Sequence, residues 1–580
     1  MKYFCVSQHC GLCRFRLNLG DIIVAVRRDG TERSQPYPYS IRGFADGSLD
    51  VEYVQCHGKC HHDEERVGCH LDCSDIVSPE TFLKIYEATA PDFEPSAIAN
   101  KQRLRWLRSW LASILGTATH YRLPPEIYSD IAAWTFEHQI ERCLAVWYAD
   151  ERRAEMRKVS RVAMSKKIYV RTVDFEGVQY IARLTNTAAD GLDVMVFDPT
   201  SRTPSDRLYV ASDHLGIRQL LFASSLFDYA IKQEPDVWWK TVSLDCLGGF
   251  IRAQGDGLKL RKIAGESIQL PKVAWGLPQP SYKPIRLEKT CSAEPTFRMS
   301  VLPCNDSQTT AYSLCWNQSI LLLHAHTVGE ELEFYKSLRT MDESALWFYM
   351  PLHAGEVLTE IWKCDGSLGS AIALLLVTSR GRSSFLGVQP QRGWSRSKWT
   401  LLDLPSKTPS RIYMMRTTFG VPLLGFESPR PDRQNRTPKV EWPTSPYPRC
   451  RRHENFAWSR ANLIDVVEII PCRHRRQGMK ITSGLLLRYD GGHQACVGQV
   501  RLDQLEIPLG VDPALKLWLG FSLTHDGPCV SNIKLSREIP TLPVCENWFQ
   551  VDWCNDLEWW YSDRQCQLSQ QGRMSPATIA

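Results

Sequence analysis

Cys5, Cys10, Cys13, Cys56, Cys60, Cys69 and Cys73 crowd seven of the chain's 20 cysteines into its first 73 residues, and His9, His57, His61, His62 and His70 add five of its 15 histidines. Thiolates and imidazoles at two-residue spacing are the donors a tetrahedral zinc ion takes. Cys10-Gly11-Leu12-Cys13 reads as a knuckle, in which two intervening residues let both sulfurs reach one ion. Two groups compete to complete it, Cys56-His57-x-x-Cys60 and Cys69-His70-x-x-Cys73, each containing His-x-x-Cys. With Cys10, Cys13, Cys56, His57, Cys60, Cys69, His70 and Cys73 as candidate ligands, one Zn2+ site is expected and there are donors enough for two. A closed site with four protein ligands leaves no position for water, so its role is to stabilise the fold rather than to catalyse. A cluster of buried, metal-free cysteines is the competing reading.

The elements around these residues have to bring them together. Gly20-Asp21 is a turn signal ahead of the strand-forming run Ile22-Ile23-Val24-Ala25-Val26. After Cys73, Ser78-Pro79-Glu80 caps a helix over Thr81 to Ala88, with Pro in the first turn. Knuckle, hairpin and a ligand pair near a helix start resemble treble-clef and RING-like zinc fingers. His61, His62 and Asp63 fit an exposed loop.

Chemistry elsewhere is sparse. His324-Ala325-His326 sets two imidazoles on one face of a strand, with Glu330 and Glu331 downstream, but the sequence offers no third ligand at a standard spacing. Asp213-His214 is a candidate acid/base pair. No nucleophile elbow, zincin helix, Walker loop or strand-anchored Gly-x-Gly-x-x-Gly occurs, so the chain reads as non-catalytic, with an enzyme whose site is dispersed over the β region as the remaining alternative. Trp238, Trp239, Trp347, Trp362, Trp394, Trp518, Trp559 and Trp560 are either stacking platforms for sugar or peptide or, at strand spacing, core.

A net charge of +5 on 580 residues is too balanced to make nucleic acid or an anionic membrane the main partner. The basic runs Arg449 to Arg452 and Arg473 to Arg476 read as solvated loops. The N-terminus lacks the apolar core of a secretory signal, which predicts an intracellular protein, cytoplasmic or nuclear, with its thiols reduced. The length exceeds what one core organises. Composition shifts suggest a zinc-finger-like module at 1–98, a helical segment at 99–165 and β-rich domains at 166–290, 291–440 and 441–580, with Pro-rich stretches at 270–298 and 428–450 as boundaries.

Leu104, Leu107, Leu111, Ile114 and Leu115 recur at helical spacing, and helical period continues from Pro124 to Val162. From Lys166 the pattern becomes short β-branched and aromatic runs between turns, such as Ile168–Val170, Val178–Ile181, Val194–Phe197, Ile320–His324, Leu346–Met350, Ile372–Thr378, Gly484–Tyr489 and Cys496–Leu502. Strands without intervening helices predict antiparallel sandwiches or barrels, and no fixed-period repeat is visible. The fold class is therefore α+β multidomain: a small zinc-binding module, a short helical segment and a large, mainly antiparallel β region.

Leu123-Pro124-Pro125-Glu126-Ile127-Tyr128-Ser129-Asp130-Ile131 is a Pro-initiated helix entry with Ile127 and Ile131 on one face. These residues resemble the opening of an F-box, and Arg142-Cys143-Leu144-Ala145-Val146-Trp147 is similar to its later helix. The resemblance covers about 40 residues and implies protein–protein interaction with the adaptor subunit of a cullin-type ubiquitin ligase, with Leu123, Pro124, Ile127 and Ile131 as anchors. A helix packed on its neighbours is the alternative. The layout as a whole, with Asp213-His214-Leu215-Gly216 and Gly484 to Asp490, is similar to multidomain F-box-like proteins of filamentous fungi. Gly355 to Ile361, Leu374 to Arg382 and Phe385-Leu386-Gly387 resemble the strands of jacalin-like lectins, which implies the second functional class, a carbohydrate- or peptide-binding β protein.

Overall fold

The computed structural model describes residues 2–40, 42–47, 50–55, 64–75, 77–135, 159–201, 205–224, 231, 234–265, 273–278, 285–289, 297–332, 334–335, 344–365, 371–389, 398–417, 420–431, 436–452, 454–476, 478–540 and 547–579. The chain divides into two compact units, Met1–Tyr282 and Lys283–Ala580.

The first unit begins with a six-stranded mixed sheet of strands β1 (Lys2–Val6), β2 (Ile22–Val26), β3 (Tyr37–Pro38), β4 (Phe44–Asp46), β5 (Val51–Gln55) and β6 (Glu64–His70), in the order β3-β2-β6-β1-β5-β4. β1 runs parallel to both β5 and β6, while β2 pairs antiparallel with β6. Four helices follow: α1 (Leu71–Asp75), α2 (Pro79–Thr89), α3 (Ala97–Ala118) and α4 (Pro125–Thr135). The expected cap on α2 is present, the Ser78 hydroxyl accepting from the Thr81 amide at 3.3 Å, and Phe82, Ile85 and Ala88 face inward. Ser96 caps α3 in the same way, and Leu107 and Leu111 are its buried stripe.

The helical period expected through Val162 is overridden. Ser160–Ala163 is a strand paired with Phe250–Gly255, because Val162 gains more by closing the core of the β domain, where it is fully buried, than by extending a helix.

The sandwich or barrel expectation also needs correction. Three sheets, rather than two faces or one closed sheet, surround the core of residues 160–275: Val194–Phe197 with Ile168–Phe175 and Val178–Thr185; Ile217–Ala223 with Arg207–Ser212, Trp238–Ser243 and Val273–Trp275; and Leu260–Gly265 with Phe250–Gly255 and Ser160–Ala163. Val162, Ile168, Ile181, Leu208, Ile217, Ile251 and Ile263 meet in one cluster drawn from all three. The result is a triangular prism whose first strand, Ser160–Ala163, shares a sheet with the late hairpin of Phe250–Gly255 and Leu260–Gly265.

The second unit repeats this plan twice. Strands between Arg286 and Phe426 form three sheets, again with early and late strands together, since Phe297–Cys304 pairs with Ser410–Thr417 and Arg286–Lys289 with Gly420–Phe426. Between Ala457 and Met574, Ala457–Asn462 pairs with Asp556–Tyr561, and the other two strand groups touch edge to edge at Thr482 and Val530. No strand occurs among the described residues of 427–456. The β runs named from sequence fall in strands, apart from the end of the last, which stops at Gly498. Trp239, Trp347, Trp362, Trp518, Trp559 and Trp560 are buried core, which removes them as open stacking platforms; Trp394 lies outside the described residues.

Candidate metal centre

Cys10 and Cys13 sit on the turn after β1. The Cys10 carbonyl accepts from the Arg14 amide at 2.8 Å, the Cys10 amide donates to Phe15 O at 2.8 Å, and Arg14 takes a left-handed φ of 64° to make the reversal. Gly11 is required by close approach: a Cβ there would lie 2.0 Å from Val67 Cγ1 of β6. His70 ends β6 and Cys73 lies in α1, so a strand-to-helix junction faces the knuckle.

The structure brings Cys10, Cys13, His70 and Cys73 together, their donor atoms all within 4.8 Å of one another. His70 Nδ1 lies 3.4 Å from Cys13 Sγ and 3.8 Å from Cys73 Sγ. Zn–S and Zn–N bonds at a tetrahedral angle put sulfur and nitrogen about 3.6 Å apart, a separation these two distances bracket. The far ring nitrogen, Nε2, is 3.5 Å from Asp21 Oδ2, the carboxylate–histidine arrangement that directs Nδ1 at a metal. Asp21 entered the sequence reading only as a turn residue; its signal was its place beside the knuckle.

Charge agrees with this. Burial opposes ionisation, yet hydrogen bonds from Cys13, Cys69, Cys73 and His70 hold the Cys10 thiol well below the usual thiol range. Burial, reinforced by Cys10, pushes Cys13 and Cys69 well above it. A divalent cation bound here would displace the remaining thiol protons. Cys69 is fully buried beside Cys10, a fifth sulfur at the margin of the four-donor group. Cys56, His57 and Cys60 lie outside the described residues, as do His61, His62 and Asp63.

The knuckle is wired to the first prism. Arg14, next to Cys13, pairs with Glu176, whose other partner is Arg103 of α3 at 2.9 Å, and Arg103 also donates to the Cys13 carbonyl at 2.8 Å. Glu176 is fully buried, and the two guanidiniums overcome that burial to hold its carboxyl far below the usual range. From another hairpin of that prism, Lys259 donates to Ala88 O at 2.6 Å and Arg261 to Glu87 O at 2.9 Å. They cap the carbonyl end of α2, which has no basic residue in its last turn.

The remaining candidates resolve differently. Asp213 is a turn anchor: Oδ1 accepts from the Leu215 and Gly216 amides, and Oδ2 accepts from Tyr180 at 2.7 Å. Burial pushes the neighbouring His214 down to about 4. Arg473 to Arg476 is the end of a strand rather than a loop, with Arg473 paired to Glu506 and Arg476 to Asp526. On α4, Tyr128 and Ala132 are buried while Leu123, Ile127 and Ile131 face solvent together with Trp134, which is 90% exposed. Sequence reasoning missed Trp134, although it stands seven residues after Ile127 on the same helical face. Arg142 to Trp147 lies outside the described residues.

No helix among the described residues is long and apolar enough to cross a membrane. No family model matches the chain, and no curated protein does. Among solved structures it is similar to a prostate-specific WGA16 glycoprotein lectin, at a TM-score of 0.17 and 15% identity, over 23% of this chain and 94% of that one, a likeness that fixes neither fold nor ligand.

Proposed function

We propose that this chain is a non-catalytic recognition protein whose N-terminal metal is a structural Zn2+ and whose α4 helix docks a protein partner, the adaptor of a cullin-type ubiquitin ligase. One observation supports this most: Tyr128 and Ala132 anchor the helix while Leu123, Ile127, Ile131 and Trp134 form an outward apolar row. An amphipathic helix laid into a groove uses anchors at this spacing. Tyr128 steadies the helix entry, its hydroxyl 2.6 Å from Thr119 Oγ1 and accepting from the Leu123 amide at 3.0 Å. Capture of the purified adaptor by the full chain should be lost in Ile127→Asp. An adaptor that never binds the unmutated chain removes this reading.

A second reading is supported by a cleft of about 310 Å3 in the third prism, lined by Thr444, Arg460, Asn462, Asp556, Glu558 and Gln571. Dense hydrogen-bonding groups over a β sheet suit a sugar or a peptide backbone. A glycan array probed with the full chain should give a defined signal that Arg460→Ala abolishes, and a featureless array eliminates it.

A further inference from the structure

We infer that His324, His326 and Glu330 form a second divalent-metal site, of two-histidine, one-carboxylate type, in the prism that follows Lys283. The sequence offered two imidazoles without a third donor, and the loop supplies it. Gly329 takes a φ of 72°, the Glu330 amide donates to Thr327 O at 3.3 Å, and the chain doubles back to bring the Glu330 carboxylate over the face shared by both imidazoles. The three donors lie within 4.8 Å of one another. His324 Nε2 is 3.1 Å from Glu330 Oε2, and His326 Nδ1 is in direct contact with Oε1.

Three features separate this cluster from a surface ion pair. His326 is 1% exposed and its outer nitrogen, Nε2, is 2.7 Å from Ser313 Oγ on the neighbouring strand, the outer-shell partner that frees Nδ1 for a metal. His324 is held in place by the Phe334 ring, stacked at 3.8 Å and 11°. Among the described residues the largely buried carboxylate is ion-paired with the two imidazoles and otherwise accepts from the Thr327 amide at 3.2 Å, and a divalent cation would balance its charge there. Two nitrogens and a carboxylate favour Zn2+, Fe2+, Co2+ or Mn2+ over Ca2+ or Mg2+. Partial exposure of His324 and Glu330 leaves coordination positions for water or a ligand.

Co2+ titration of the reduced, chelator-stripped full chain tests this without reference to the thiolate centre. Glu330→Gln and the gentler His324→Gln should each bind one equivalent fewer than the parent, losing the d–d component of the nitrogen–oxygen site while keeping the sulfur-to-cobalt charge-transfer band and d–d bands of the cysteine site. Equal stoichiometry in parent and in both folded variants overturns the proposal. Loss of the charge-transfer band alone, with the d–d spectrum of a nitrogen–oxygen site unchanged, overturns it too.

Discussion

The hairpin tips of the first and third prisms share a plan and differ in what they face. In the third, Arg476 on one tip donates to Asp526 on the second at 2.9 Å and to the Arg564 carbonyl on the third at 2.8 Å, and its side chain remains 27% exposed. In the first, the corresponding tips carry Glu176, Asp213, Asp256 and Lys259, all buried; Glu176 pairs with Arg14 and Arg103 and Lys259 caps the end of α2, while Asp213 and Asp256 find partners within the prism, Asp213 in Tyr180 and Asp256 in Lys259 and Arg261. The same triangle of turns is a latch in one prism and a socket in the other. Burial converts weak surface ion pairs into ones whose breakage is expensive.

The comparison breaks most severely at the metal. On the proposed structural-zinc reading, Cys13→Ser should abolish metal binding and unfold the N-terminal module, since structural zinc supplies about 10–16 kcal/mol in small domains; native mass spectrometry and a thermal melt follow both effects. Retention of the ion with an unchanged melt would mean that Cys69 can replace Cys13.

Next is Glu176→Gln, expected to cost about 3–5 kcal/mol by leaving two buried guanidiniums without a carboxylate. Asp526→Asn, the third prism's counterpart, should cost under about 1 kcal/mol. Similar urea midpoints for the two variants would erase the distinction between socket and latch. The Glu176 carboxyl is depressed in the folded chain, so its contribution is complete above its ordinary value and declines as pH falls below it. An acid titration should show this component in the parent and not in the variant.

Lys259 gives a smaller effect with the same direction of pH dependence, in an alkaline window. Burial, partly offset by Asp256, lowers it to about 8 from its ordinary 10.5, so between those values the folded chain binds fewer protons than the unfolded one and stability from this group rises with pH. Urea midpoints at pH 8 and 10 should show the rise in the parent, and Lys259→Met should remove it. The smallest change is Ile127→Asp, which should move stability by no more than about 0.5 kcal/mol because its side chain faces solvent. A large loss would place that face in the core rather than at an interface.

Much of the local structure was legible because its causes are local. Ser78-Pro79 announces α2, the β-branched runs announce strands, and Cys10-x-x-Cys13 announces half of a tetrahedral donor set, whose other half the sequence left between the groups at 56–60 and 69–73. The three-sheet prisms were not legible, since strand spacing says nothing of how many sheets share a core and the loops between equivalent strands differ in length. Nor did the sequence single out Cys69 as the outlying sulfur or join Glu330 to His324 and His326, because a turn's φ angles decide where a carboxylate swings.

By itself, then, the order of residues determined most of the strands and helices and which side chains can ligate a metal, through hydrogen-bond propensity, alternation and donor chemistry over a few residues. Only the tertiary structure decided that Glu176 neutralises Arg14 and Arg103, or that Lys259 caps a helix 170 residues earlier. Those pairings exist because buried charges and helix ends must find partners wherever the packed chain brings one within reach.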